Sequence, residues 1–215
     1  MTALPQHHPS HGLIIEYAAG SMPSGRALVM AAHLTACPAC RDEARLMNAA
    51  GGALLEGLEP TPMKSGALAA VRARIEQPEP KPVPPAPGQD DWISVPPEVL
   101  LAAARRKRWA APGVWVAPIS HDRTTGAKAY LLRVAPGMAV PHHGHRGVEM
   151  TCVLKGEFID RKQRYGPGDF AEVDEDVEHR PHVTKAGECV CLISADAPLI
   201  ALDWVGKLFQ PFVRI

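Results

Sequence analysis

The sequence lacks an excess of charge of either sign, a long apolar run and a basic N-terminus. Lysine plus arginine and aspartate plus glutamate number 23 each, which disfavours a nucleic-acid binder that neutralises phosphates. No segment reaches the roughly 18 uninterrupted apolar residues of a membrane helix; the nearest, Gly12 to Cys37, is broken by charged and polar residues. Histidines stand where a signal peptide would carry basic residues. These absences predict a cytoplasmic protein.

Cysteine is also scarce, with five residues in 215. In a reducing compartment these cysteines are not expected to form structural disulfides. Metal binding or redox chemistry is the better explanation for a close pair such as Cys37 and Cys40.

Aromatic residues make up only 5% of the chain and are unevenly placed. Residues 1–77 contain Tyr17 alone, whereas all tryptophans and phenylalanines lie within residues 91–215. Between these regions, six prolines from Pro78 to Pro87 predict an extended polyproline spacer. We therefore predict an α + β protein of two domains, with a helical domain over 1–77, a proline-rich linker over 78–91 and an all-β domain over 92–215.

The first domain is rich in alanine, leucine, methionine and arginine, which predicts helices. Ser10, Ser24 and Ser65 stand where side-chain caps would be wanted. A helical unit this short buries little apolar area, so a structural metal would help to stabilise it. The predicted helices are Ser10–Ala19, Ser24–Thr35, Pro38–Leu58 and Ser65–Glu76.

The second domain alternates short valine-, threonine- and isoleucine-rich runs with glycine and proline turns. Short strands at this spacing are typical of a barrel or a sandwich. The predicted strands are Val114–Ile119, Ala129–Val134, Glu149–Lys155, Gly156–Asp160, Asp169–Val173 and Cys189–Ser194.

The first candidate metal site has the spacing His33-x-x-x-Cys37-x-x-Cys40. Pro38 favours a helix start there, so we place His33 at the end of the second helix, Cys37 as a cap and Cys40 in the first turn of the third helix. The positive end of that helix favours thiolates. A closed zinc site needs a fourth ligand, which the N-terminal histidine pair can supply. The alternative is a buried cysteine pair with an incidental histidine.

With His8 about 25 residues ahead of His33, this pattern resembles the zinc-binding anti-sigma domain. The resemblance covers roughly residues 1–77. It implies a helical domain that holds an extracytoplasmic-function sigma factor and covers its polymerase-binding surfaces. It also implies a Zn²⁺ site with His7 as an alternative to His8, the implied ligands being His8, His33, Cys37 and Cys40.

The second candidate metal site has the spacing His143-x-His145-x3-Glu149, between Gly137 and Gly156. Residues two apart on a strand point to the same side, so the two histidines can both face a barrel interior, and Glu149 can join them. The spacing matches the first sequence motif of the cupin family at every fixed position, which implies a jelly-roll barrel.

The second cupin motif is incomplete. The turn Gly166-Pro167-Gly168-Asp169 is present, but the later Pro-x-Gly-x-x-His element has lost its proline and glycine and keeps only His179. The resulting ligand set suits Zn²⁺, Mn, Fe, Co or Ni, and the sequence does not choose among them. The alternative is a barrel that has lost its metal. The predicted ligands are His143, His145, Glu149 and His179.

The remaining cysteines lie in the second domain. Cys189 and Cys191 share one face of a predicted strand and could form a redox-sensitive pair, but neighbours on one strand rarely meet disulfide geometry. Burial as small apolar residues is the favoured interpretation for both, and for Cys152.

A zinc-binding anti-sigma domain joined to a single cupin domain resembles the ChrR family of anti-sigma factors, over nearly the whole chain. The resemblance implies a 1:1 complex with an extracytoplasmic-function sigma factor and its release on oxidative stress by singlet oxygen or organic hydroperoxides, with the cupin domain needed for the response. It implies no catalysis, no direct nucleic-acid contact and no membrane attachment. The alternatives are a dioxygenase-like cupin enzyme with an accessory zinc domain, and a metabolite-binding cupin regulator.

Overall fold

The computed structural model describes residues 4–78, 103, 105–121, 126–197 and 200–202. The predicted linker over 78–91 lies outside these residues, apart from its first residue. Within the described part, the first domain contains four helices, each within two residues of its predicted start. They are α1 (His11–Ala18), α2 (Ser24–Ala36), α3 (Pro38–Glu56) and α4 (Ala67–Ile75).

The predicted serine caps are wrong. Ser10 occupies the N-cap position of α1 but makes no side-chain capping bond there. The chain enters α2 through Pro23, and Ser24 is already helical. Gly66, with a left-handed backbone, precedes α4 and leaves Ser65 outside the capping position. Cys37, by contrast, caps α3 as predicted, because its sulfur accepts the backbone N–H of Cys40.

The second domain consists of short antiparallel strands, as the sequence predicts. In the described residues they form three sheets, ordered β1-β2-β3-β10-β5-β8, β7-β6-β9 and β11-β4. The strands are β1 (Arg108–Ala111), β2 (Val114–His121), β3 (Lys128–Val134), β4 (His143–Gly144), β5 (Glu149–Lys155), β6 (Phe158–Asp160), β7 (Gln163–Tyr165), β8 (Phe170–Val173), β9 (His182–Val183), β10 (Cys189–Ala195) and β11 (Ile200–Ala201). The predicted cupin architecture is confirmed.

The six-stranded sheet separates two clusters of buried side chains. One cluster fills the barrel and includes Tyr130, Val153 and Phe158. The other joins Val29 and Met30 of α2 to the opposite face of the sheet, including Met150 and Leu192. The helical domain therefore completes its apolar core on the outer face of the cupin sheet, a packing arrangement that the sequence does not predict.

Gly25 marks the closest approach between α2 and this sheet. A Cβ atom at position 25 would lie 3.2 Å from Oγ of Ser194 and 3.3 Å from Cβ of Ala129. The absence of a side chain lets the helix backbone approach β3 and β10 directly. One turn of α2 is thus fixed against the strands that also build the barrel.

Among the residues that the structure describes, no helix combines the length and the apolar character needed to cross a bilayer.

Candidate metal centres

The first cluster brings together the four N-terminal residues that the sequence singles out. His8 precedes α1, His33 lies in the last turn of α2, Cys37 separates α2 from α3, and Cys40 lies in the first turn of α3. One ligand atom from each residue lies within 4.8 Å of all the others. Two nitrogen and two sulfur donors at this spacing match the tetrahedral set that structural zinc sites use.

The ring of His33 is oriented by a hydrogen bond from the second domain. Its Nδ1 lies 2.7 Å from the carbonyl oxygen of Gly168, so Nδ1 carries the proton and donates. Nε2 is then left with a lone pair, and it is buried with no hydrogen-bond partner. Burial lowers the pKa of His33, which keeps the ring neutral. A buried, unpartnered lone pair beside two thiols is what a metal ligand requires.

The thiols of Cys37 and Cys40 both contact the ring of His8. Nδ1 of His8 lies 3.4 Å from Sγ of Cys37 and 3.4 Å from Sγ of Cys40. Burial, together with the hydrogen bond and charge of Cys37, raises the pKa of the Cys40 thiol to about 12. The helix start therefore does not by itself ionise Cys40. A divalent cation would favour the ionised form, so the donor set fits Zn²⁺.

His7 is directed elsewhere. Its Nε2 lies 3.0 Å from the carbonyl oxygen of Arg164, and its ring packs against Tyr165 with the centroids 4.3 Å apart. Of the two N-terminal histidines, the geometry groups His8 with the cluster and places His7 on the cupin surface.

The second cluster lies within the cupin domain and contains all four predicted residues. His143 belongs to β4, His145 follows it, Glu149 begins β5, and His179 forms an isolated bridge with His143. All four side chains are buried, and their ligand atoms lie within 4.8 Å of one another. Loss of the usual proline and glycine before His179 has not displaced this histidine from the cluster.

Three imidazole nitrogens face one another in this cluster. Nε2 of His179 lies 3.0 Å from Nε2 of His143 and 3.0 Å from Nε2 of His145. His143 donates Nδ1–H to the carbonyl oxygen of Pro141 at 2.7 Å, and His179 donates Nδ1–H to Asp160 at 2.9 Å. In the neutral form of each ring, the Nε2 atoms of His143 and His179 would both be acceptors and could not hydrogen bond to each other. A cation bound by both nitrogens would resolve this opposition.

Burial sets the protonation of the second cluster. It is the largest cause that lowers the pKa of His143 and of His145 to about 4, and the neighbouring His179 lowers both further. Burial likewise raises the pKa of Glu149 to about 7. Neutral rings at His143 and His145, the ring of His179 and a carboxylate that needs a positive partner form a set that could hold a divalent transition metal.

Asp160 contacts the second cluster without belonging to its predicted ligand set. It is buried, and its carboxylate accepts from the ring of His179. Burial is the strongest single influence and opposes ionisation, but the hydrogen bond and charge of His179 and of Arg161 together lower the pKa of Asp160. A carboxylate behind a histidine of a metal cluster fixes its tautomer and orientation. No motif marks this aspartate, because the pairing is visible only once β6 meets the β8–β9 loop.

A largely apolar cavity adjoins the second cluster. His143, Glu149 and His179 line it together with Cys189 and Cys191. The two cysteines are buried, with their sulfur atoms 3.6 Å apart, so the predicted shared face is confirmed. Cys152 is buried in the other apolar cluster, on the side of the sheet that faces α2.

Comparisons with known proteins place this arrangement in context. A family model described as a ChrR cupin-like domain matches residues 98–197. The chain is 38% identical over 213 residues to the anti-sigma-E factor ChrR of Cereibacter sphaeroides, covering 98% of this chain and 99% of that protein. It is similar to the crystal structure of Rhodobacter sphaeroides SigE in complex with the anti-sigma ChrR, with a TM-score of 0.75 at 34% identity, covering 89% of this chain and 99% of that one.

Proposed function

This chain belongs to the ChrR family of anti-sigma factors, and we propose that it binds an extracytoplasmic-function sigma factor one-to-one and releases it when its cupin domain meets an oxidative signal. The solved relative is itself a complex of an anti-sigma factor with a sigma factor, which supports the choice of partner. Because a sigma factor acts on RNA polymerase inside the cell, the proposal includes the cytoplasmic location expected from the sequence.

The observation that carries the proposal is a set of exposed apolar side chains in the second half of α3, in the α3–α4 connection and in α4, which we name the leucine surface. Its side chains are between 50% and 77% exposed, in a part of the chain where a protein that functions alone would present polar residues. Surfaces of this kind mark sites of protein–protein contact. The leucine surface consists of Leu54, Leu55, Leu58, Met63, Leu68, Val71 and Ile75.

The second half of α3 and the whole of α4 make few apolar contacts with the rest of the described protein. The buried residues of α3 are Cys40 and Ala44, both in its first half, and α4 has none. A helix of nine residues is marginal in water when nothing packs against it. We infer that a partner covers α4 and the second half of α3, which supplies the apolar contacts that these helices lack.

Zinc at the first cluster would shape this binding surface. We propose His8, His33, Cys37 and Cys40 as its ligands. The cluster joins the segment before α1 to the junction between α2 and α3, so a metal there fixes the direction in which α3 extends. In this proposal the zinc is structural, and the sigma factor contacts the helices rather than the metal.

The second cluster is proposed as the sensor, with His143, His145, Glu149 and His179 as ligands of Zn²⁺ or of Mn, Fe or Ni. Imidazoles and thiols are the side chains most open to oxidation, and Cys189 and Cys191 line the adjoining cavity. Singlet oxygen or an organic hydroperoxide that enters the cavity would meet these groups first. If Glu149→Ala leaves the oxidative response intact in a folded protein, the cluster is not the sensor.

The chain acts as a regulator and not as an enzyme, as expected from the sequence, since the relative that it matches along its whole length is an anti-sigma factor. The alternative of a dioxygenase-like cupin enzyme is therefore set aside. The adjoining cavity serves the proposed sensor.

Co-expression of the full chain with candidate sigma factors, followed by affinity purification and metal analysis, tests the partner. We expect a stable one-to-one complex that carries zinc. Leu58→Asp and Leu68→Asp should each abolish recovery of the sigma factor, because a charge on the leucine surface cannot be desolvated in the complex. Leu4→Asp, at a leucine of similar exposure outside α3 and α4, is the matched control and should leave binding intact.

The same experiment tests the zinc. Cys37→Ser with Cys40→Ser should lose one metal equivalent and the sigma factor together. Cys152→Ala, at a buried cysteine outside both clusters, should retain both. Sigma binding that survives complete loss of zinc from the first cluster, or recovery of no sigma factor by the unaltered chain, contradicts the proposal.

A further inference from the structure

The segment before His8 is held by a turn of the cupin domain. Oδ1 of Asp169 accepts the backbone N–H groups of Gln6 at 2.6 Å and of His7 at 3.0 Å. The backbone N–H of Phe170 donates to the carbonyl oxygen of His7 at 3.0 Å. The backbone N–H and the carbonyl oxygen of His7, which precedes the candidate ligand His8, are therefore both fixed by residues far along the chain.

Asp169 also closes the turn from which it projects. Its Oδ2 accepts the backbone N–H of Gly166 at 2.7 Å, and the carboxylate is buried. Both oxygens thus accept from backbone N–H groups, one within the turn and one in the N-terminal segment. Hydrogen bonds to a charged acceptor in a buried position are among the stronger ones in proteins.

The same turn orients a second residue of the first cluster. Gly168 lies next to Asp169, and its carbonyl oxygen accepts Nδ1–H of His33. The ring of Phe170 meets that of His33 edge-on, with the centroids 5.6 Å apart. The path of the chain at His8 and the ring of His33 are accordingly set by one cupin turn, residues 166–170.

Strand β5 connects this turn to the second cluster. Glu149 begins β5 and pairs with Val173 of β8. Four residues later, the backbone N–H of Val153 donates to the backbone carbonyl oxygen of Asp169 at 3.1 Å, and the carbonyl oxygen of Val153 accepts the N–H of Gly168 at 2.8 Å. Strand β5 therefore begins at a residue of the second cluster and, near its other end, is hydrogen bonded to the turn that contacts the first cluster.

We propose that Asp169 is a positioning residue of the first metal site: by clamping the turn 166–170 to the segment before His8, it lets the cupin domain slow the release of zinc from the helical domain. The inference rests on the zinc site put forward under the proposed function. Groups that orient metal ligands in this way typically change metal affinity by about 10- to 100-fold. Asp169 touches no ligand atom itself and acts through Gly168 and the backbone at His7.

Asp169→Asn tests the clamp with little change in shape. Both carboxylate oxygens of Asp169 accept backbone N–H groups, but an asparagine has only one side-chain oxygen. Its NH₂ group would replace the other oxygen and would oppose a backbone N–H, donor against donor. The full chain is loaded with Co²⁺, whose thiolate charge-transfer absorption reports the first cluster, since the second cluster contains no thiol. Cobalt release to a chelator is then followed at that band and, for both sites together, with a metallochromic dye.

The expected result is release from the thiolate site that is about tenfold faster or more in Asp169→Asn, with release from the cupin site unchanged. Asp176→Asn, an exposed aspartate in the loop after β8, is the matched control and should behave like the unaltered chain. Equal acceleration at both sites would indicate general loosening of the fold and would overturn the positioning role.

A second pair of variants leaves the cupin domain unaltered and decides the matter if Asp169→Asn does not fold. Gln6→Pro removes one N–H donor to Asp169, whereas Gln6→Ala keeps it. We expect faster release from the thiolate site in Gln6→Pro alone; equal rates in both would refute the clamp while leaving the zinc site standing. A thiolate band that never forms in the unaltered chain would instead refute the zinc site.

Discussion

Oδ2 of Asp160 lies 2.9 Å from Nδ1 of His179, and both side chains are buried. His179 thus hydrogen bonds to a carboxylate, whereas His143 donates to a backbone carbonyl oxygen and Nδ1 of His145 lies 3.8 Å from the Glu149 carboxylate. A carboxylate in this place also raises the basicity of the ring that it holds. A metal held by this cluster would therefore be bound with a strength that depends on a residue outside the predicted ligand set.

Replacement of Asp160 tests this dependence. Asp160→Asn should lower the affinity of the cupin site for its metal by about 10- to 100-fold, because an amide is a weaker acceptor than a carboxylate. Competition with a chromogenic chelator measures the affinity, and the cobalt–thiolate band of the first cluster serves as an internal reference. An affinity equal to that of Asp176→Asn would show that the carboxylate does not assist the metal.

A matched pair of leucines separates stability from partner binding. Leu192 is fully buried where the cupin sheet meets the helices, so Leu192→Ala should lower the free energy of unfolding by about 2–5 kcal/mol. Leu54 is 77% exposed, so Leu54→Ala should change it by no more than about 0.5 kcal/mol and weaken sigma binding instead. Urea unfolding and affinity purification measure the two effects. A large loss of stability in Leu54→Ala would mean that the second half of α3 is already packed against other residues in the protein without its partner.

Two glycines with similar backbones offer a second matched comparison. Gly156 has φ of +71°, and a Cβ there would lie 2.0 Å from the carbonyl oxygen of Glu188. Gly20 has φ of +68° and nothing within 4 Å of the same position. Gly20→Ala should cost about 1–2 kcal/mol for its left-handed backbone, whereas Gly156→Ala must also displace β10 and should cost more than about 4 kcal/mol. Similar urea midpoints for the two variants would contradict this difference.

The ion pair between Arg26 and Asp196 spans the contact between α2 and the cupin domain. Nε of Arg26 lies 3.1 Å from Oδ1, and Nη2 bonds to Oδ2 in a two-point arrangement that is mostly buried. Arg26→Leu should cost about 1–3 kcal/mol in urea unfolding, because the Asp196 carboxylate loses its charged partner and keeps the backbone N–H of Val148. Arg45→Leu, which breaks an exposed pair, should cost about 0–1 kcal/mol. Equal costs would mean that the interdomain pair is no better than a surface pair.

Much of this structure is predictable from the sequence because its signals are local. Pro38 after Cys37 predicts the start of α3, and valine-, threonine- and isoleucine-rich runs between turn residues predict β3, β5 and β10 to within one residue at each end. The two clusters follow from spacing for the same reason. His143 and His145 are close in the chain, and the histidine after β8 returns to them through a short loop.

The sequence does not predict the polar contacts between distant segments. Asp160, Asp169 and Arg26 look like ordinary surface residues until the fold gives each a partner far along the chain. The predicted serine caps of α2 and α4 are wrong for a local reason: Pro23 and Gly66, not the serines, occupy the positions at which the chain enters these helices. Gly25 does not by itself predict the close interdomain approach, because Gly51 and Gly52 also lie within a helix and an added Cβ there would meet nothing within 4 Å.

The shared core between α2 and the cupin sheet has a consequence for synthesis. The helices leave the ribosome first, yet Val29 and Met30 bury themselves against Met150 of β5 and Leu192 of β10, which are translated last among these elements. Until residue 168 emerges, His33 lacks the carbonyl oxygen that orients its ring, and until β10 emerges the sheet on which α2 docks is incomplete. A nascent chain would therefore display the apolar face of α2 uncovered, and the four residues of the first cluster would reach the arrangement described above only after the cupin strands have been synthesised.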